Sequence, residues 1–141
     1  MRKQKGFTLI ELVVVVMILG ILAAVAAPKL LNTSSTAADQ GLKQTLGVVR
    51  DAIERYAAEH SGSVPSDPTT LVTLGYLRGS AFPTSPLSGG NNVIRTVATS
   101  TGMVGNDDAT KSWVYCTGDG TFMSNSHQTS KSDPGMTYDQ F

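Results

Sequence analysis

At 141 residues, 40% of them apolar, the chain has room for one domain. Eleven basic and eleven acidic residues cancel to a formal net charge of zero, so the polycationic footprint of a nucleic-acid-binding protein is missing. The lone cysteine, Cys116, excludes an internal disulfide and a cysteine-based zinc site.

The apolar residues are unevenly placed. Arg2, Lys3 and Lys5 come first, followed by Phe7 to Ala27, a run of 21 residues interrupted by Thr8, Glu11 and Gly20. A helix needs about 20 residues to cross the hydrocarbon core, and a signal-peptide core has only about 7–15. The basic residues before the run set its orientation: N-terminus in the cytoplasm, everything after Pro28 outside. Ala24-Val25-Ala26 offers a rival reading, cleavage by ordinary signal peptidase and release of a soluble protein. The length of the run and its embedded Glu11 argue against that.

Pro28 does not end the helical pattern. Leu42, Leu46, Val49, Ile53 and Tyr56 make one apolar stripe. Asp39 with Lys43, Arg50 with Glu54, and Asp51 with Arg55 pair opposite charges at i and i+4. The pattern predicts one helix over 7–60, about 80 Å long and bent near Pro28. Asn32 to Thr36 is its weakest stretch. Ser61-Gly-Ser-Val-Pro65 stops it, and a short helix is expected from Pro68 to Leu77, ended by Gly79.

Residues 81–92 hold Pro83, Pro86 and the pair Gly89-Gly90, and read as a loop. Strands are expected at 92–98, 112–117 and 121–124, with Gly118-Asp-Gly120 as a hairpin turn. Trp113 and Tyr115 should share one face, in a core role, and Val114 and Cys116 the other. The tail to Phe141 is expected to be irregular and packed through Tyr138 and Phe141. The fold class is α+β: a long N-terminal helix, a short helix and a small antiparallel sheet.

Glu11 is the residue that asks for an explanation, because an ionisable group inside a membrane span is costly. On position alone it reads as a protonated or snorkelling side chain, or as a functional group. A cut between Gly6 and Phe7 would make Glu11 the fifth residue, one helical turn from the new α-amino group. That amine could then pair with Glu11 of its own chain or of a neighbour. Gly20 with Ala24, and Ala23 with Ala27, are small residues at i and i+4 that permit close helix approach in lipid.

Lys5-Gly6-Phe7-Thr8-Leu9-Ile10-Glu11 before an unbroken apolar run resembles the class III signal of type IV prepilins and type II secretion pseudopilins. The resemblance implies cleavage after Gly6 by a membrane aspartyl peptidase and N-methylation of Phe7, and Pro28 matches a helix-bending proline of many members. It also implies a division into leader 1–6, membrane and filament-core helix 7–28, helix continuation 29–60 and globular domain 61–141. Beyond Leu31 the proline loops and the Trp113-Val-Tyr115 hairpin look like the major, G-type pseudopilins. A single cysteine forbids the disulfide-closed loop of many major pilins and tilts the choice toward pseudopilin.

The function implied by that resemblance is that of a non-enzymatic subunit, which polymerises to drive export of folded proteins across an outer membrane. A type IV pilus or competence pilin is the alternative. The implied partners are copies of itself, minor pseudopilins, a prepilin peptidase and an inner-membrane assembly platform, with no nucleic acid. Its place would be the inner membrane, single-pass, with the globular domain in the periplasm. Many G-type members hold calcium in an acidic loop, but Cys116-Thr-Gly-Asp-Gly120 is too short for that loop. Asp107, Asp108 and Asp119 read as hydrated turn carboxylates, so neither a metal nor a cofactor is assigned. His60 suits a helix C-terminus and His127 lies in a polar tail.

Overall fold

A computed structural model describes residues 6–87 and 89–141. The basic leader residues Arg2, Lys3 and Lys5 therefore lie outside the described residues. Two compact units divide the chain, Met1–Ser35 and Thr36–Phe141.

One helix, α1, runs Leu9–Glu59 and contains Pro28. Proline has no N–H to give the carbonyl one turn back, yet a long helix tolerates one such loss. Helical structure also continues through Asn32 to Thr36, where the Thr33 hydroxyl donates to the Lys29 carbonyl at 2.9 Å. The division between the two units falls in this stretch.

In the second unit the predicted stripe is the core. Leu42, Leu46, Val49 and Ile53 are buried, with Tyr56 packed against them. The short helix α2 is only Thr70–Thr73, less than the Pro68 to Leu77 expected. Its start is set by Asp67, whose carboxylate accepts from the Thr69 N–H at 2.9 Å and the Thr69 hydroxyl at 2.7 Å.

The sheet departs from expectation in one respect. Its strands are β1 Ile94–Val97, β2 Trp113–Cys116 and β3 Phe122–Ser124, in that order. β2 and β3 are the expected antiparallel hairpin, with Trp113 opposite Ser124. β1 and β2 are parallel, Ile94 opposite Trp113, so the sheet is mixed. The 15 residues between Val97 and Trp113 are enough to carry the chain back to the same end, which a parallel pair requires. Gly120 closes the hairpin at φ +80, a conformation natural to glycine.

Central position explains why all four β2 side chains are buried instead of alternating. The aromatic pair also fixes the two proline loops. Trp113 Nε1–H donates to the Pro83 carbonyl at 2.8 Å, and the Tyr115 hydroxyl to the Pro65 carbonyl at 2.6 Å. Burial pushes the Tyr115 hydroxyl's pKa well up, so it stays a donor.

Four charged side chains of the second half of α1, Asp39, Lys43, Arg50 and Arg55, make tertiary contacts. None of the three expected i,i+4 ion pairs forms; among the described residues the ion pairs are Lys111–Asp108 and His127–Asp139. Arg50, half-buried, donates to the Phe122 carbonyl at 3.0 Å and the Phe141 carbonyl at 2.5 Å. Lys43 sits 4.2 Å from the Phe141 ring centroid. Arg55 donates to the Tyr76 carbonyl. Asp39, fully buried, accepts from the Ser130 hydroxyl at 2.7 Å and from the Ser132 N–H at 2.9 Å. Thus the tail is packed as expected through buried Tyr138 and partly buried Phe141, and it ends in a 3-10 turn, Tyr138–Gln140.

Candidate functional site

The candidate site begins where α1 begins. Thr8 is its N-cap: its carbonyl accepts the first helical bond, from Leu12 N–H at 3.3 Å. The Thr8 N–H and hydroxyl both donate to Glu11 Oε2, at 2.9 and 2.7 Å, and the Glu11 N–H reaches the Thr8 hydroxyl oxygen at 3.3 Å. This is a capping box, in which a Thr and a Glu three residues on satisfy each other's backbone donors. The Thr8-x-x-Glu11 spacing carries that signal in the sequence itself, beside the more conspicuous one of a carboxylate embedded in an apolar run. In the single chain Glu11 therefore has a local partner.

Phe7 is 85% exposed, and Gly6 is exposed too. From Leu9 to Val25 every large apolar side chain is exposed, between 41% for Val14 and 81% for Leu9. No face of this segment is buried against protein. A Cβ added at Gly20 would meet nothing within 4 Å, and Ala24 and Pro28 are exposed. Gly20, Ala24 and Pro28 recur every four residues, hence along one side of the helix. Glu11 is the only charged residue between Phe7 and Ala27. α1 is long and apolar enough to cross a membrane.

The other singled-out residues are buried, stacked or hydrogen-bonded in turns. Cys116 is fully buried. Asp108 accepts from the Thr110 N–H and hydroxyl, and these donors hold its carboxyl below the usual range. Asp119 is held low by Ser100 and by the Thr121 N–H. Asp107 accepts from the Ser126 hydroxyl and the His127 N–H, both at 2.9 Å. His60 stacks on Tyr56, ring centroids 3.9 Å apart. His127, expected in a polar tail, meets Asp139 with Nδ1 to Oδ2 at 2.7 Å; a separation of 12 residues across irregular chain leaves no local signal.

Residues 1–27 match the family model of the prokaryotic N-terminal methylation motif. The chain is 31% identical over 131 residues to the type IV wide pilus major component PilA4 of Thermus thermophilus, covering 92% of this chain and 95% of that one. The chain belongs to the type IV pilin-like family. Competence protein ComGC of Halalkalibacterium halodurans is 31% identical over 80 residues, 57% of this chain and 78% of the relative. The type II secretion system core protein G of Vibrio cholerae is 43% identical over 61 residues, 43% of this chain and 42% of the relative. Against that pseudopilin the chain thus spans less than half of the relative's length. No solved structure matches the chain.

Within the pilin-like family these matches place secretion pseudopilins, a competence protein and a pilus component side by side. The family model covers the N-terminal segment, which is where this chain exposes its apolar helix and its capped carboxylate.

Proposed function

We propose that this chain is a filament subunit, cut between Gly6 and Phe7 by a prepilin peptidase and N-methylated on Phe7. The observation that carries this is the segment after Phe7, apolar on every side and bearing one charge, Glu11. A surface of that kind is stable in lipid or against copies of itself, and not in water. It anchors the subunit in the inner membrane, with the globular unit on the periplasmic side. On assembly, neighbouring helices replace the lipid, and the face of Gly20, Ala24 and Pro28 gives them close approach. Glu11 then exchanges its bonds to Thr8 for the Phe7 amine of an adjacent subunit.

The first reading of the filament is a type II secretion pseudopilus that drives export of folded proteins, built with minor pseudopilins on an inner-membrane platform. Several matches to core protein G and the lone cysteine support it. A second reading, a type IV pilus, is favoured by the PilA4 match, which runs through nearly the whole chain. Neither reading needs a catalytic group or a cofactor.

The mass of the N-terminal peptide from the native membrane tests processing: a start at methylated Phe7 is expected, and a start at Ala27 or an uncut Met1 would end the proposal. Deletion separates the two filaments. Loss of exoprotein export indicates the pseudopilus, and loss of surface fibres with export intact indicates the pilus.

A further inference from the structure

Residues 127–139 form a closed lobe near the C-terminus. Ser130 N–H donates to the Met136 carbonyl at 2.9 Å, Tyr138 N–H to the Gln128 carbonyl at 3.0 Å, and Thr129 faces Thr137 in an antiparallel bridge. At the tip, Ser130 and Ser132 hold Asp39 of α1. At the base, the two ends meet: His127 Nδ1 lies 2.7 Å from Asp139 Oδ2.

The two partners differ in environment. The Asp139 side chain is 2% exposed and the His127 side chain 54%. Asp139 also accepts from the Gly105 N–H at 2.8 Å and from the Thr137 hydroxyl at 2.5 Å. One buried anion therefore ties together the β1–β2 connection, the 3-10 turn and the start of the lobe. Its cationic partner is a side chain that meets solvent.

We propose that this lobe is a pH-gated clasp: protonated His127 closes its base and so keeps its tip on Asp39, and loss of that proton loosens both. The groups facing His127 are Asp139 from the 3-10 turn and Asp107 from the β1–β2 connection, both acidic. Arg95 of β1 reaches that connection through the Val104 carbonyl, at 2.6 Å. Lys131 and Asp133 belong to the tip, beside Ser130 and Ser132. The bond to Asp139, then the charges of Asp139 and Asp107, hold the His127 pKa above its ordinary value. Burial pushes the Asp139 carboxyl up, but its bonds to Thr137, His127 and Gly105 outweigh this and hold it low.

The His127 contribution to stability is full below the ordinary imidazole pKa, about 6.5, and fades as pH rises through the raised value. The Asp139 contribution is full above the ordinary aspartate pKa, about 3.9, and fades as pH falls through the lowered value. The clasp is therefore tightest in mildly acidic solution. Neutral His127 can still donate through Nδ1–H, so the gate is partial.

The test is amide exchange by NMR on the full chain in detergent micelles, corrected for the pH dependence of intrinsic exchange, with the imidazole titration followed in parallel. Protection of the Ser130 and Tyr138 amides should fall about two- to fivefold between pH 6 and pH 8, the scale of a solvent-accessible ion pair. Its midpoint should match that of His127, while the Tyr115 amide in β2 stays constant. His127→Gln, which keeps a donor and removes the charge, should give a flat profile. An equal fall in His127→Gln, no fall in the wild type, or a His127 titration at or below the ordinary value would overturn the proposal.

Discussion

The two halves of α1 continue one helix but differ in composition and meet opposite surroundings. From Leu9 to Val25 the helix is apolar all round and every large side chain is exposed. From Asp39 to Tyr56 it is apolar along one stripe, and that stripe is buried under the sheet and the tail. A helix apolar on every face belongs in lipid or in a bundle; one with a stripe belongs on a domain. The contrast extends to charge. Glu11 in the first half is met by its own neighbour Thr8, three residues away. Asp39 and Arg50 in the second half are met by groups 72 to 93 residues away.

The contrast can be broken most strongly by removing bulk. Leu46→Ala should destabilise the globular unit by about 2–5 kcal/mol, because it empties a core position. Leu19→Ala should change the stability of that unit, read by chemical denaturation for both variants, by no more than about 0.5 kcal/mol, since its side chain touches no core. Equal effects of the two would mean that the halves are not distinct. Smaller, at about 1–3 kcal/mol, is Asp39→Ala, which leaves the buried Ser130 hydroxyl, and the exposed Ser132, without their acceptor.

Acid should expose the same anchor. Burial raises the Asp39 pKa, while the donors from Ser132, Ser130 and Tyr138 outweigh it and leave the carboxyl low. Its stabilising share is therefore full above the ordinary aspartate value of about 3.9 and is lost as pH falls through the lowered one. An acid-unfolding curve of Asp39→Asn should be less steep than wild type below about pH 4. Thr8→Val should have a small, local effect, about 1 kcal/mol of helix-end stability, read as faster amide exchange over residues 9–12 with the globular unit unmoved. If Glu11 is already engaged elsewhere in the isolated subunit, that exchange will not change.

Local pattern was enough for the elements that depend on neighbours in the chain. The 21-residue apolar run, the four-three stripe from Leu42 to Tyr56 and the Gly118-Asp-Gly120 turn each repeat or punctuate within a few residues, and each stands where it was expected. The Thr8–Glu11 cap is equally local: its spacing carried the signal, which the reading of Glu11 as a membrane carboxylate passed over.

What local pattern could not hold was any choice between partners far apart. Asp39, Lys43, Arg50 and Arg55 on α1 each had an adjacent option and a distant one. The distant one prevailed because packing the tail on the helix would have buried Asp39 without a donor, and burying an unpaired charge costs more than a solvated surface pair returns. The direction of β1 likewise rested on where 15 irregular residues carried the chain. Sequence by itself determined a membrane-competent helix, its cap and the stripe that seeds a small core. Only the tertiary structure decided that β1 runs parallel to β2, that Asp39 and Arg50 anchor the tail, and that His127 meets Asp139, because these depend on chain closure over distances at which no residue signals its partner.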